Sequence, residues 1–234
     1  MPSPFKTPWH FNKFKEDKEG DYVKIVGIIH GDWTEEIELA RSKGVTESKY
    51  NEQRYEHAAN PKSENHVIED TENPDGKPEA TMFRRIRFNA MPDDFPKFMK
   101  MADLFKFDTT QSHTFKFNDQ FPNDQLMWHI DNLPGNPRKE RVIDNTDFKY
   151  QHPDKTRFLI TLEDHEPGQI FQFGNIVYTQ WKAGTIFSWD WSTFPHITWN
   201  GSWRKRPCLQ LTGTVTEDTW ELVKNGNADT IYNV

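Results

Sequence analysis

The sequence predicts a mainly β chain with supporting helices. Three observations carry that prediction. Only 34% of the residues are hydrophobic while 14% are aromatic, so the eighteen Phe and nine Trp must supply much of the burial. The second half breaks into short β-branched or aromatic runs separated by turn residues. The first half carries two segments of helical periodicity and one long polar stretch.

A length of 234 residues suits one domain with a real core. In chain order, "YVKIVGIIH" at 22–30 reads as a strand. A short helix follows, with Asp32 as N-cap, Glu35 three later in a capping-box pattern, and Gly44 as the C′ residue. Residues 45–80 are polar and rich in Asn, Glu, Lys and Pro, a long loop or flap. "MFRRIRF" is a strand whose polar side holds Arg84, Arg85 and Arg87. "DDFPKFMKMADLFKF" is an amphipathic helix with Phe95, Phe98, Met99, Ala102 and Phe105 on its apolar face. Then come "SHTFKFND", "TRFLITLED", "QIFQFGN", "IVYTQW", "GTIFSWDW", "HITWN" and "RPCLQLTGTV", split at Pro167-Gly168, Gly174-Asn175 and Ala183-Gly184. A double-stranded β-helix, the jelly-roll or cupin-like shape, fits this count of strands. "TEDTWELVKNG" closes the chain as a helix. The organisation is therefore one domain over 1–234: helices, strands and flap at 1–109, the jelly-roll core at 110–216 and a tail at 217–234.

A net charge of -7 and a pI of about 5.7 argue against a general nucleic-acid binder. The single cysteine, Cys208, excludes a disulfide framework and a cysteine-based zinc site. The N-terminal stretch has no apolar signal core, and no run reaches membrane-spanning length. A reducing, cytoplasmic setting is the expectation, and the sequon at Asn200 then carries no glycan.

Three His-x-Asp pairs occur, about two more than chance usage supplies. Asp32 of His30/Asp32 is better explained as a helix cap. His152/Asp154 flanks a proline in the polar loop "YQHPDK". His129/Asp131 ends an apolar run, "LMWHID", where a rigid strand end can present ligands to a cavity. Two histidines and one carboxylate on one face of an iron ion leave positions open for substrate and oxygen, so a third ligand is needed. His165 sits in the turn "EDHEPG" and is expected to be solvent-exposed, whereas His196 stands between strand-like segments in "FPHITWN". His196 is the choice, although alone it would read as a satisfied core histidine. Ten residues on, Arg206 opens a strand. An inward arginine needs an anion when buried, and a dicarboxylate cosubstrate would supply one through paired hydrogen bonds. Arg204 and Lys205 beside it read as solvated loop charge.

At these residues the chain resembles the Fe(II)/2-oxoglutarate-dependent oxygenases, in particular small stand-alone members of the prolyl-hydroxylase type. His129, Asp131, His196 and Arg206 follow the family's order, and the Ala183-Gly184-Thr185 turn precedes the strand leading to the distal histidine. The resemblance covers roughly residues 110–216. It implies Fe(II) held by His129, Asp131 and His196, 2-oxoglutarate with its far carboxylate on Arg206, O2 as co-reactant and ascorbate as a stimulant. The implied reaction is hydroxylation of an unactivated C–H bond. Because Asp131 is present, halogenation is disfavoured.

Two departures stand out. Many members place a Ser or Thr two residues after the arginine, where this chain has Cys208, a weak donor. Gln210, on the same strand face, and Arg157, at the start of "RFLITL", are candidate further contacts to the cosubstrate. Residues 132–156 form an unusually long segment that reads either as a lid over the substrate or as a simple loop. Trp128, Trp189, Trp191, Trp199 and Trp203 read either as the lining of a dry pocket or as ordinary sheet core. The polar flap and a basic patch at Arg138, Lys139 and Arg141 are compatible with a free amino acid, a peptidyl side chain or a small acid, and the resemblance makes an amino acid or a peptidyl side chain the expected substrate. Nucleobase demethylation is the second reading within the family. Outside it stand a cupin-type metalloenzyme that needs no 2-oxoglutarate, such as an isomerase or dioxygenase, and a non-catalytic jelly-roll binding module. No membrane or nucleic-acid partner is expected, and the oligomeric state stays open.

Overall fold

The computed structural model describes residues 23–43, 45–46, 83–88, 93–111, 113–129, 155–189 and 194–234, with backbone only for 45–46, 83–88 and 127. The predicted flap over most of 45–80, Gly44, Asp131, the segment 132–154 with Arg138, Lys139, Arg141 and the His152/Asp154 pair, and Trp191 lie outside those residues. The side chains of Arg84, Arg85 and Arg87 do as well.

Among the described residues the elements run β1 (Val23–His30), α1 (Thr34–Lys43), β2 (Val45–Thr46), β3 (Phe83–Phe88), α2 (Pro96–Leu104), β4 (Thr114–Gln120), β5 (Asp124–His129) and β6 (Lys155–Thr161). They continue as β7 (Gln169–Phe173), β8 (Ile176–Tyr178), β9 (Thr185–Trp189), β10 (His196–Asn200), β11 (Arg206–Thr214), α3 (Glu217–Asn225) and β12 (Ile231–Asn233). One sheet has the order β12-β1-β9-β6-β11-β4-β3-β2 and the other β5-β10-β7-β8. From β4 to β11 the antiparallel pairing is nested: β4 with β11, β5 with β10, β6 with β9 and β7 with β8. That nesting defines the double-stranded β-helix, so the fold is the mainly β jelly roll predicted.

Burial follows from which faces each strand covers. β6 and β9 read as continuous apolar runs and are buried along nearly their whole length, because both faces of the large sheet are covered. β7 alternates buried and half-buried residues, as a strand with one covered face should. One apolar cluster joins Val26, Ile29, Phe158, Ile160, Leu209 and Leu211 to α1, α2 and α3. A second lies between the sheets and holds Leu159, Phe171, Phe173, Trp181, Phe187, Trp189 and Cys208. Along β11, Leu209 and Leu211 therefore face the helices, and Arg206, Cys208, Gln210 and Thr212 face the space between the sheets.

The helices form as their patterns predict, with one correction at a start. All five residues of the predicted α2 face are buried. Phe95, the N-cap of α2, caps nothing with its side chain. Buried Glu36 of α1 does so instead, accepting from the backbone N–H of Lys97 at 2.6 Å and of Phe98 at 2.8 Å. α1 begins at Thr34 rather than after an Asp32–Glu35 capping box. Asp32 accepts from the Thr34 backbone N–H and hydroxyl, while Ile37 N–H donates to the Trp33 carbonyl. The Trp33 side chain points inward, its indole N–H donating to the Leu162 carbonyl at 2.7 Å. At the turn before β9, Gly184 has φ of +84°, and a Cβ there would lie 1.9 Å from the Ile29 carbonyl oxygen. No described helix is long and apolar enough to cross a membrane.

Candidate functional site

His196 and His129 meet across the small sheet. His196 opens β10 and pairs in register with His129 at the end of β5. Their ring centroids are 4.2 Å apart, with an interplanar angle of 53°. A β-bulge makes this possible. By strict alternation Trp128 would follow Asp124 and Leu126 inward. Between the pairs Thr198↔Leu126 and His196↔His129 the register slips by one residue. The extra residue on β5 leaves Trp128 exposed and turns His129 toward His196. His196 is buried, and its Nδ1 lies 3.2 Å from the Phe194 carbonyl oxygen. That contact suits the Nδ1–H tautomer and leaves Nε2 as the lone-pair donor. Trp189 packs edge-on against His196 at 5.2 Å between centroids, and Phe173 lies 6.0 Å away.

The third proposed ligand, Asp131, falls two residues beyond β5 and outside the described residues. Among the described residues no group of three His, Cys, Asp or Glu could hold a metal ion. The described part of the site is the histidine pair. Two facing imidazoles supply two nitrogen donors of the kind metals take.

Arg206 is also buried between the sheets. Its guanidinium carbon is 4.1 Å from the Phe171 ring centroid and 5.9 Å from that of Trp181. Nη1 donates to the Ile170 carbonyl at 2.9 Å and to the Trp199 carbonyl at 3.3 Å, and Nη2 donates to Gln120 Oε1. Nε has no hydrogen-bond partner among the described residues, and Arg206 forms no ion pair there. Burial pulls its pKa down to about 10, opposed near neutral pH by the negative charge of Asp124. Trp199 stands three residues along β10 from His196, about 10 Å of strand. The histidine pair and the buried cation thus both stand against the aromatic residues between the sheets, His196 by Phe173 and Trp189 and Arg206 by Phe171 and Trp181. A small anionic chelator reaching from a metal at the histidines to Arg206 fits that arrangement, because a buried cation lacking an ion pair calls for an anion.

Cys208 is buried beside Arg206, and burial pushes its thiol up to about 12, so it is a neutral, weak donor. Gln210 and Arg157 come together, but not with Arg206. Arg157 Nε donates to Thr212 Oγ1 at 2.8 Å. With the Gln210 amide turned oxygen-first, it accepts from Arg157 Nε at 2.9 Å and Nη1 at 3.0 Å. Arg157 is paired with Thr212, six residues along β11 from Arg206, or roughly 20 Å of strand. It stands one rung beyond the Phe158↔Ser188 pair, at the level of Trp189 and hence at the histidine end.

Several other sequence expectations are corrected. Of the five tryptophans considered, only Trp189 is shown buried at the site. Trp128, Trp199 and Trp203 are 44%, 47% and 93% exposed, because the outer face of the small sheet carries no described helix layer and Trp203 lies in a turn. His165 is half-buried rather than exposed. Its Nε2 lies 3.0 Å from the Gln169 carbonyl oxygen, and its ring meets Trp181 edge-on at 4.6 Å. Arg204 pairs at the surface with Glu166 at 3.5 Å, as solvated charge does. Sequence reasoning missed Trp181 and Gln120, which both approach Arg206. No local signal marked either, since Trp181 sits in a connection and Gln120 at a strand end.

No protein-family model matches the chain, and no curated protein matches it. Solved structures do match. A prolyl-4-hydroxylase from Pseudomonas putida is 10% identical over 77% of this chain and 96% of that one, with a TM-score of 0.39. A 2OG-Fe(II) oxygenase family oxidoreductase from Burkholderia pseudomallei is 12% identical over 58% of this chain and 71% of that one, with a TM-score of 0.36. A predicted oxalate decarboxylase from Thermotoga maritima is 12% identical over 56% and 82%, with a TM-score of 0.31. These likenesses are of fold alone, and the fold assignment rests on the strand order itself.

Proposed function

We propose that this protein is an Fe(II)- and 2-oxoglutarate-dependent dioxygenase that hydroxylates an unactivated C–H bond of an amino acid or a peptidyl side chain. The observation that carries this reading is Arg206, a buried cation without an ion pair among the described residues, between the same two sheets as the register-paired His129 and His196. His129, Asp131 and His196 would hold the iron, and Arg206 the distal carboxylate of 2-oxoglutarate. Iron, 2-oxoglutarate and O2 together supply oxidative decarboxylation coupled to hydroxylation of the substrate.

The chain's own residues position these parts and exclude water. An Nδ1–H donated to the Phe194 carbonyl would set the tautomer of His196 that presents Nε2 to a metal. Trp189 and Phe173 wall the histidine end with apolar surface. Gln120 and the carbonyls of Ile170 and Trp199 hold the Arg206 guanidinium in one orientation against Phe171. Arg157, held by Thr212 and Gln210, offers a second cation at the histidine end, where the keto-acid end of the cosubstrate would lie.

The test is an anaerobic titration of the Fe(II)-loaded protein with 2-oxoglutarate, following the visible metal-to-ligand charge-transfer band. A saturable band that disappears in His129→Ala is the expected result. Iron binding without a band would place the protein with metalloenzymes of the same fold that need no 2-oxoglutarate. Failure to bind iron would make it a binding module.

A further inference from the structure

On the proposed reading the distal carboxylate meets Arg206, and two residues on along the same strand face stands a buried neutral thiol, Cys208, rather than a hydroxyl. Trp181 is the neighbouring group with a donor to give. It is 7% exposed, and its indole Nε1 is buried without a hydrogen-bond partner among the described residues. A buried N–H with no acceptor is uncommon enough to require an explanation. The ring is clamped on two sides. Phe171, on which the Arg206 guanidinium lies, is 4.8 Å away, and His165 meets it edge-on. The His165 backbone N–H also donates to the Trp181 carbonyl at 3.1 Å, fixing the connection that carries the indole. Arg206 Nε is likewise without a partner among the described residues, and its guanidinium carbon lies 5.9 Å from the centroid of the Trp181 ring. Trp189 also has an unpartnered indole N–H, but it packs on His196 at the opposite end. Trp220 has a third, in the helix-side core.

We propose that Trp181 is the second anchor of the cosubstrate, its indole N–H donating to the distal carboxylate that Arg206 binds and replacing the hydroxyl absent at Cys208. This rests on the 2-oxoglutarate reading above. The carboxylate would take one bond from the guanidinium and one from the indole. A ligand with the same carbon chain but no distal carboxylate would use neither.

The experiment measures dissociation constants for 2-oxoglutarate and for 2-oxopentanoate, anaerobically on the Fe(II)-loaded protein, in wild type, Trp181→Phe and Trp220→Phe. Phenylalanine keeps an aromatic ring and removes the donor. The expected result is a roughly tenfold to hundredfold weaker binding of 2-oxoglutarate by Trp181→Phe, the loss of one charge-assisted hydrogen bond. Binding of 2-oxopentanoate should stay unchanged, as should both constants in Trp220→Phe. Adding Cys208→Ser to Trp181→Phe should restore most of the loss by returning a hydroxyl donor. Equal weakening for both ligands, or none for either, overturns the assignment. If wild type binds no 2-oxoglutarate, the functional reading itself fails, a different outcome from a wild type that binds and a variant that matches it. Should Trp181→Phe fail to fold, Cys208→Ser alone decides. With Trp181 already donating, the new hydroxyl should change the constant less than about threefold; a tightening of tenfold or more would mean no second donor was present.

Discussion

Replacing Arg206 by methionine should separate stability from binding. Methionine keeps an unbranched, polarisable contact to Phe171 and removes the charge. A fall in the arginine pKa from 12.5 to about 10 corresponds to about 3 kcal/mol by which burial disfavours the cation. Removing the cation relieves that cost. Against it stand the lost hydrogen bonds to the Ile170 and Trp199 carbonyls and to Gln120, roughly 1 kcal/mol net each. Gln120 Oε1 keeps the Thr198 hydroxyl at 3.3 Å, so it is not orphaned. The two sums are similar, and the metal-free variant should stay within about 2 kcal/mol of wild type in urea unfolding. Binding has no such compensation. A dicarboxylate that enters a buried pocket and finds no cation loses about 3–5 kcal/mol, a weakening of more than a hundredfold. Urea melts with and without 2-oxoglutarate, beside the anaerobic titration, read both quantities. The reasoning is refuted if Arg206→Met destabilises the metal-free protein by more than about 4 kcal/mol, which would make the arginine a structural cation. It is refuted equally if the variant binds 2-oxoglutarate like wild type.

Other perturbations address separate parts of the molecule. His129→Ala and Asp131→Ala should each abolish stoichiometric Fe(II) binding while His152→Ala retains it; iron lost from the His152 variant alone would relocate the ligand pair. Gly184→Ala should cost more than about 3 kcal/mol in thermal unfolding, because its Cβ would overlap the Ile29 carbonyl at a backbone angle that favours glycine. A wild-type-like melting curve would show that β1 can move aside. Asp164 is held below its ordinary pKa of 3.8, first by the Ala183 backbone N–H and then by Lys182. A depressed carboxylate contributes stability that is full above the unfolded pKa and lost as pH falls through the folded one. Unfolding stability measured from pH 6 to pH 2.5 should therefore decline less steeply below about pH 4 in Asp164→Asn than in wild type, and parallel curves would remove this contact from the acid response.

The jelly roll was legible because its central strands are covered on both faces and its outer ones on one. "RFLIT" and "TIFSW" lack polar alternation, "QIFQF" has it, and the burial of β6, β9 and β7 follows those patterns. His196 and Arg206 were singled out by their order after His129 and Asp131 and their places at strand starts, since His196 alone reads as a core histidine. What geometry adds is not encoded in any short window. The bulge that sets His129 against His196 arises from the pairing of β5 with β10, and a reading by period two would turn Trp128 inward instead. Glu36 caps a helix that starts sixty residues later, which no local capping pattern signals. The exposed tryptophans mislead composition for a related reason. A sheet face without a described helix layer leaves large side chains in water, and the sequence does not say which layer a sheet lacks. Trp181 stayed hidden because its partner in space, Arg206, stands 25 positions away in sequence.

Nested strand pairing also orders how the chain can fold. The innermost pair, β7 with β8, turns at Gly174 and closes Phe173 onto Ile176. The next, β6 with β9, joins Ile160 to Ile186, and the pair after that brings His129 to His196. The outermost joins Gln120 to Arg206, 86 residues apart. Loop-closure entropy favours the short closures first, and each one shortens the next. In pulse-labelled hydrogen exchange during refolding, amides of β7 and β8 should gain protection before those of β4 and β11. The histidine pair would then assemble before Arg206 meets Gln120, so the proposed metal end of the site forms earlier than the proposed carboxylate end.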